Sequence, residues 1–248
     1  EGRIRAAAEG AGLDLAGCEI VATPHSHASA EAAVALVGQG RAGALMKGSL
    51  HTDELLSAAL AREAGLRTER RVSHAFVMDA PLYPRLLIIT DAAVNIAPDL
   101  EAKADIIRNA IRLAGAIGID LPRVAILSAV ETVTPKLAST LDAAALCKMA
   151  DRGQIMGGIL DGPLAFDNAV SEAAAKAKGI VSGVAGRADI LVVPDIESGN
   201  MLAKQLALLG GAESAGIVLG LRVPVALTSR SDDATSRLAS AALLRLTA

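Results

Sequence analysis

The sequence predicts an α/β protein with two lobes that are built on parallel β-sheets. Short apolar runs alternate with segments whose apolar residues recur at helical spacing along almost all of its 248 residues. Such alternation is typical of βα units and therefore of parallel strands. The strand candidates are numerous enough for two sheets, and neither a linker nor a fixed-period repeat separates them. We therefore expect two lobes with a cleft between them.

The strand candidates are short runs that are rich in β-branched residues and bounded by turn-forming or charged residues. The run "ILVV" at 190–193, which stands between Asp189 and Pro194, is typical of a strand that is buried on both faces. The other strand candidates are 19–22, 44–46, 72–77, 86–89, 124–127, 155–160, 217–219 and 225–227. The helix candidates are 29–37, 53–64, 100–117, 139–149, 168–177, 201–209 and 234–246.

We place the first lobe at residues 1–72 and 212–248 and the second lobe at residues 73–211. The segment "VPVALTSR" at 223–230 motivates this division, because a strand with polar residues at its end returns there after the central βα units. The chain opens with "EGRIRAAAEG", a helical pattern without an initial Met, and we expect further residues upstream.

The composition excludes several classes of function. The net charge is −3 and only 1% of the residues are aromatic, so neither the electrostatic attraction nor the stacking surface of a nucleic-acid-binding protein is present. No apolar stretch reaches membrane-spanning length, and no signal peptide is recognisable. Cys18 and Cys147 are isolated, which indicates neither a disulfide framework nor a zinc site. A soluble cytoplasmic protein is the prediction.

Polar loops follow the strand candidates and predict one shared cleft, because open α/β sheets bind ligands at the carboxyl ends of their strands. These loops include "KGSLHTDE" (47–54), "DGPLAFDN" (161–168), "PDIESGN" (194–200) and "TSRSDD" (228–233). A helix N-terminus at Gly199 and Asn200, with Lys204 one turn further on, is expected to bind an anion. The candidate substrate-binding residues are Lys47, Gly48, His51, Thr52, Asp167, Asp195, Gly199, Asn200 and Lys204.

Two motifs suggest cofactor or metal chemistry but lack the required context. "GQGRAG" at 38–43 has the letters of a dinucleotide-binding turn, but it follows a helix and precedes a strand. "HSH" at 25–27 has two possible metal ligands but no nearby Cys or carboxylate to complete a set. We predict neither a metal site nor a permanently bound cofactor.

Four segments resemble the phosphate acetyltransferase and phosphate butyryltransferase family, with most likeness to its butyryltransferase-like branch. They are "LMKGSLHTDELLSAALAREAGLRTERRVSHAFVMDAP" (45–81), "DGPLAFDNA" (161–169), "SGVAGRADILVVPDIESGNMLAKQL" (182–206) and "LRVPVALTSR" (221–230). The resemblance implies the two-lobed fold of isocitrate and isopropylmalate dehydrogenases and a homodimer. It also implies reversible transfer of a short acyl group, acetyl or butyryl, between coenzyme A and inorganic phosphate. Acyl-CoA, phosphate and acyl phosphate are then substrates, without metal or covalent intermediate.

The resemblance implies that Ser229 and Arg230 lie at the coenzyme A thiol and the reacting carbonyl. A thiol with a pKa of about 8.5 must lose its proton to attack an acyl phosphate, so the reaction benefits from a base. In many acetyltransferase relatives an Asp seven residues after the Ser has this role, but that position is Ser236 here. An Arg of the family is likewise replaced by Ser57. Asp161 is our candidate for the base, because it leaves a buried strand into the expected cleft.

Two alternatives to the acyltransferase hypothesis stay open. The first is a non-catalytic acyl-CoA-sensing module of a fused enzyme, which the two replaced positions favour and the Ser229–Arg230 pair does not. The second is a decarboxylating dehydrogenase of the same fold, for which we find no set of metal-binding aspartates. The resembling branch includes copies fused behind a hydratase-type domain, so such a fusion is a further possibility. The sequence does not set the length of the acyl chain.

Overall fold

The computed structural model describes residues 1–229 and 232–248 and shows an α/β protein, as predicted. Within these ranges the strands are β1 (Leu45–Met46), β2 (Ser73–Asp79), β3 (Leu87–Thr90), β4 (Arg123–Leu127), β5 (Ile159–Leu164), β6 (Ile190–Val192), β7 (Glu213–Leu219) and β8 (Val225–Ala226). The helices are α1 (Gly2–Gly10), α2 (Ser26–Gly38), α3 (Thr52–Leu60), α4 (Leu100–Ala116), α5 (Ala138–Asp151), α6 (Phe166–Val170), α7 (Glu172–Ala177), α8 (Ile196–Leu208) and α9 (Ala234–Thr247).

The described strands form one sheet in the order β1-β8-β7-β2-β3-β6-β4-β5. The outer pairs β1–β8, β3–β6, β6–β4 and β4–β5 are parallel. In the middle of the sheet, β8–β7, β7–β2 and β2–β3 are antiparallel, which differs from the prediction of parallel strands only. The loops at 80–86 and 220–224 explain two of these pairs, because they are too short for the crossover that parallel neighbours require.

The strands of the sheet do not all run in the same direction, and their directions determine at which end of the strands the polar loops lie. β1, β8 and β2 run one way, whereas β7, β3, β6, β4 and β5 run the other way. The loops after β1 and β8 therefore lie at one edge of the sheet, and the loops after β3, β4, β5 and β6 lie at the opposite edge. From the sequence we expected all the polar loops to meet at one edge of the sheet, and in the structure they lie at two.

Helices cover the two faces of the sheet differently. On the first face, Ile107 of α4, Leu146 of α5 and Leu243 of α9 share one buried cluster with Ile126 and Ile217 of the sheet. The second face carries two separate clusters. One joins α2 and α3 to β1, β7 and β8, and the other joins α6, α7 and α8 to β3, β4 and β6. The gap between these two groups of helices lies over β2.

Several element predictions differ from the structure, three of them as follows. Residues 19–22 form no strand, and Val21 is 47% exposed, because a short apolar run alone does not supply a neighbouring strand. The strand expected at 155–160 lies at Ile159–Leu164. The segment 168–177 contains parts of two short helices, because Ser171 ends α6 and caps α7.

The predicted lobe boundaries fall between elements. The first, after residue 72, lies immediately before β2, and the second, after residue 211, lies immediately before β7. Because β2 pairs with both β7 and β3, the sheet is continuous across the first boundary. The division into 1–72 with 212–248 and 73–211 stays a prediction. No helix in the described ranges has the length and apolar character that spanning a bilayer requires.

Candidate active site

A cavity of about 250 Å³ occupies the gap on the second face, directly over β2. Its lining combines the loop after β1, the floor strand β2, the loop after β3, helix α8 and the end of β8. The lining residues are Lys47, Leu50, His51, Thr52, His74, Phe76, Ala93, Asn200, Lys204, Leu227, Thr228 and Ser229. Six of our candidate site residues, Lys47, His51, Thr52, Asn200, Lys204 and Ser229, therefore share one cavity.

The floor of this cavity consists of His74 and Phe76, two residues apart on β2 and therefore on the same face of the strand. Their rings contact each other edge to face, with 4.5 Å between the centroids. Gly216 of β7 leaves room for both rings, because an added Cβ would lie 3.1 Å from His74 Nε2 and 3.2 Å from Phe76 Cε1. The absence of a side chain at Gly216 thus creates the floor.

The wall on the β1 side is held together by buried hydrogen bonds. The Thr228 hydroxyl donates to the carbonyl oxygen of Lys47 at 2.6 Å and ties β8 to β1. The Lys47 ammonium group donates to the carbonyls of Gly48 and Leu50 at 3.1 and 3.0 Å. Lys47 is only 4% exposed, so its charge is largely withdrawn from water next to the cavity. Gly48 itself does not line the cavity but shapes the loop that does.

The opposite wall is helix α8, whose position depends on its first turn. Asp195 is the N-cap and accepts the backbone N–H of Ser198 at 2.8 Å. The hydrogen bonds from Ser198 hold the pKa of Asp195 below its usual value. A carboxylate therefore already caps the helix N-terminus, and the anion site expected at Gly199 stays a prediction.

Gly199 serves close packing, because a Cβ at this position would lie 2.6 Å from the Asp91 carbonyl oxygen. This close approach brings α8 against the loop after β3. Asn200 then donates to the carbonyl oxygen of Ala92 at 3.2 Å. Lys204, one turn further along α8, lines the cavity. Of the three residues predicted to form an anion site on this helix, Asn200 and Lys204 line the cavity and Gly199 does not.

A second cavity of about 540 Å³ adjoins the first and shares Phe76, Lys204 and Ser229 with it. Much of its lining is apolar and comes from β2 and the outer turns of α8. Its polar side includes Asp232 and Asp233 in the loop before α9 and Ser236 in the first turn of that helix. The two cavities together form a cleft, and the three shared residues mark the place where they meet.

The segment that carries Ser229 is fixed from α9. The backbone N–H of Ser229 donates to the Asp232 carboxylate at 2.6 Å, and Arg237 donates to the carbonyl oxygens of Asp232 and Ser229 at 3.1 and 3.3 Å. Asp233 caps α9 through the backbone N–H of Ser236, which holds the pKa of its carboxyl below the usual value. Arg230 lies outside the described residues.

Comparison with known proteins shows the family of the chain. A family model described as "phosphate acetyl/butaryl transferase" matches residues 7–244. The chain belongs to the phosphate acetyl/butyryl transferase family. A relative from Rhizobium meliloti named phosphate acetyltransferase is 63% identical, over 99% of this chain and 78% of its own length. A phosphate butyryltransferase from Clostridium acetobutylicum is 46% identical, over 96% of this chain and 79% of its own.

The similarity extends to solved structures of the phosphate acetyl/butyryl transferase type. A branched-chain phosphotransacylase from Enterococcus faecalis V583 superposes with a TM-score of 0.83 at 37% identity. The match covers 91% of this chain and 81% of that structure's chain. The relatives differ in the acyl group that their names state, so family membership alone does not fix the acyl chain.

The structure does not bring Asp161 to the cleft of this family member. Asp161 lies on β5, the last strand of the sheet, where it accepts the backbone N–H of Gly162 at 2.9 Å. Six strand spacings separate β5 from β8, which is about 29 Å along the sheet at about 4.8 Å for each spacing. The carboxylate is therefore out of hydrogen-bonding reach of Ser229 in the same chain. The sequence prediction did not foresee this separation, because local patterns do not give the order of the strands in the sheet.

Two more predicted carboxylates have structural partners away from the cleft. Asp167 in α6 pairs with Lys178 at 3.1 Å, and the hydrogen bond from Lys178 lowers the pKa of the aspartate. Asp195 caps α8, as described above. Ser57, where the family Arg is replaced, lines a different cavity between α2 and α3. That replacement therefore lies outside the cleft, whereas Ser236 lies in its larger part.

Sequence reasoning missed His74 and Phe76, which form the cleft floor. In "SHAFVMD" both residues have the pattern of an ordinary buried strand. Only the packing of the neighbouring elements shows that the gap between the two groups of helices lies over this face of β2. Burial lowers the pKa of His74 to about 4, against the opposing effect of the nearby Asp91 charge. Across the described ranges, no group of three or more His, Cys, Asp or Glu side chains is arranged to hold a metal ion.

Proposed function

We propose that the chain transfers a short acyl group reversibly between coenzyme A and inorganic phosphate. The observation that carries this proposal is the pair of adjoining cavities that meet at Phe76, Lys204 and Ser229. Two substrates that exchange a group must place their reacting atoms about 3–3.5 Å apart, and a shared boundary allows this. Family membership supports the reaction, and we assign one cavity to each substrate.

The smaller cavity suits phosphate or the phosphoryl end of an acyl phosphate. At about 250 Å³ it lies just below the usual size range of small-molecule sites, about 300–1,000 Å³, and is too small for the whole of coenzyme A. Two ammonium groups, those of Lys47 and Lys204, line it, and the Thr52 hydroxyl and the Asn200 amide add polar groups. Cations and hydrogen-bond donors of this kind bind phosphate oxygens.

The larger cavity suits the thiol end of coenzyme A with its acyl group. Its apolar lining from Met78, Ala203, Ala207 and Leu208 can contact the alkyl chain of the acyl group and the methylene groups next to the thiol. Ser229 at the boundary would hydrogen-bond to the sulfur or to the carbonyl oxygen. We assign Arg230, its neighbour in sequence, to the oxyanion that develops at the attacked carbonyl.

The test is release of free thiol from acetyl-, propionyl- and butyryl-CoA in the presence of phosphate. We expect thiol release that depends on phosphate and saturates with it, together with acyl phosphate trapped as the hydroxamate. A matched control replaces phosphate by sulfate, which has a similar shape but cannot form a stable acyl product under these conditions. Binding of acyl-CoA without phosphate-dependent release would instead support the acyl-CoA-sensing module.

Three further expectations stay proposals: a homodimer, a cytoplasmic location, and fusion to a hydratase-type domain. We base the first two on the implied family properties and on the composition described above. Sedimentation of the purified chain tests the first, and the length of the native polypeptide tests the third. Coenzyme A is proposed as a substrate and not as a permanently bound cofactor.

A further inference from the structure

His74 has an unpartnered ring nitrogen at the floor of the cleft. Its Nδ1 is buried and has no hydrogen-bond partner in the described part of the chain. The residue is 1% exposed but lines the smaller cavity together with Lys47, Lys204 and Ser229. Buried polar groups are normally paired, so an unpaired nitrogen in a side chain that lines a ligand cavity indicates a partner that the described residues do not supply.

The surroundings of His74 fix its backbone and leave its ring available. The backbone N–H of His74 donates to the Asp91 carboxylate at 3.1 Å, and the backbone carbonyl oxygen of His74 accepts the Thr90 hydroxyl at 2.8 Å. Phe76 supports the ring edge to face, and Gly216 provides the space beneath it. The ring is thus held in place by packing, which is how a side chain is positioned for chemistry.

We propose that His74 carries the proton that moves between phosphate and the coenzyme A sulfur. This inference rests on the proposed function. In the direction of acyl phosphate synthesis, hydrogen phosphate attacks the thioester carbonyl, a C–O bond forms and the C–S bond breaks. His74 accepts the P–OH proton during the attack and returns it to the departing thiolate, so acyl phosphate and free thiol are the products. In the reverse direction the proton moves from thiol to phosphate.

The charges around His74 explain why it would act only with substrate bound. The titratable and charged groups near it are Asp91 directly after β3, Lys47 and His51 in the loop after β1, and Lys204 on α8. Burial keeps the pKa of His74 near 4 and the ring neutral, so it is ready to accept a hydrogen bond. A bound phosphate dianion raises the pKa of a neighbouring imidazole and makes it a stronger base.

Two carboxylates close to Ser229 in the sequence, Asp232 and Asp233, are less suited to this role. Asp233 is engaged as the cap of α9, and its pKa is lowered. The Asp232 carboxylate accepts the backbone N–H of Ser229 at 2.6 Å. Both therefore have structural partners, whereas His74 Nδ1 has none in the described ranges. Asp232 is the competing candidate that the experiment must separate from His74.

The first experiment compares His74→Asn with the parent in both reaction directions. Loss of a positioned proton carrier should lower kcat by about 10²–10⁴-fold, with a KM for coenzyme A that changes less than about threefold. His27→Asn, at an exposed position paired with Glu54, is the matched control and should keep the parent kcat. Parent kcat and parent pH profile in His74→Asn would overturn the proposal, as would loss of activity in Asp232→Asn alone.

A second variant separates chemistry from structure. His74→Ala leaves a space next to the cavity, and added imidazole should restore part of the turnover. Pyrazole, a ring of the same size and much lower basicity, should restore none. Equal rescue by both rings would show that the space is only structural and would overturn the proposal.

A measurement on the parent protein covers the case in which both variants fail to fold. The chain has four histidines, so the ring signals of labelled His74 can be assigned with variants of the other three. We expect the ring pKa to rise when phosphate saturates the protein, and an unchanged pKa would overturn the proposal. Absence of thiol release from the parent would instead count against the proposed function, and this titration needs no turnover.

Discussion

The hydroxyl of Thr228 donates to the backbone carbonyl of Lys47 at 2.6 Å, and both residues are almost fully buried. This bond joins the end of β8 to the end of β1, so the segment that leads to Ser229 is tied to the loop that carries His51 and Thr52. The cationic wall and the serine of the candidate site are therefore positioned as one unit.

Thr228→Val should destabilise the protein, because it leaves the Lys47 carbonyl oxygen without its buried donor. We expect the free energy of unfolding to fall by about 1–3 kcal/mol. Urea unfolding measures this, with Thr228→Ser as the control that keeps the hydroxyl. Equal stability of the valine and serine variants would show that the bond contributes nothing.

Lys204→Met should weaken phosphate binding without affecting the fold. The side chain is exposed at the boundary of the two cavities, so loss of its charge should raise the KM for phosphate by about tenfold, or about 1.4 kcal/mol. Lys176→Met, at an exposed position on α7, is the control for the change in net charge. The prediction is wrong if both variants have the same KM for phosphate.

Arg230→Ala should lower kcat by more than about 10²-fold, which is the scale for the loss of one oxyanion donor. This prediction follows from the family motif, since Arg230 lies outside the described residues. Steady-state kinetics and the melting temperature of the variant test it together. A variant with normal turnover and normal stability would remove Arg230 from the reaction centre.

Asp195→Asn should reduce stability at neutral pH and have little effect in acid. The lowered pKa means that the carboxylate stabilises the fold above the usual aspartate pKa and that this contribution is lost as the pH falls through the lowered value. The difference in Tm between parent and variant should therefore close between about pH 5 and about pH 2. A difference that persists at the lower pH would contradict the capping role.

Gly199→Ala should push α8 away from the loop after β3. The added Cβ would lie 2.6 Å from the Asp91 carbonyl oxygen, and such overpacking costs about 1–3 kcal/mol. Gly115→Ala is the matched control, because that helical glycine has no heavy atom within 4 Å of its added Cβ. It should be neutral or stabilise by about 0.5–1 kcal/mol. The midpoint of urea unfolding should therefore fall for Gly199→Ala and stay equal or rise for Gly115→Ala.

Local patterns predicted most elements of the fold but not the directions of the strands. The run "ILVV" and the helical spacing after it gave a strand and a helix close to β6 and α8, although the helix begins five residues earlier than expected because Asp195 caps it. The α/β class was predictable from such units. The antiparallel pairs around β2 were not, since pairing depends on residues that are far apart in the sequence.

The candidate site was predictable where its residues come from the ends of β1 and β8 and from α8. Lys47, Lys204 and Ser229 line one cavity, and their roles at the site stay predictions. Asp161 was placed with them because all strand ends were assumed to line one cleft, but the strand order puts β5 six positions away from β8. His74 could not be identified, because burial in a strand and a place in a cavity floor look the same in a sequence.

The floor strand also determines how the cleft can deform. β2 is paired to β7 at seven positions and to β3 at four, so the cleft cannot widen by separation of its floor strands without breaking this ladder. Opening must instead come from bending or twisting of the sheet beneath the two helix groups. In such a motion the atoms close to the sheet, such as those of His74, are displaced least. The displacement grows with distance from the sheet, towards the rim of the cleft around Lys204 and Thr52. The proton carrier would then remain nearly stationary while the substrate-binding rim moves.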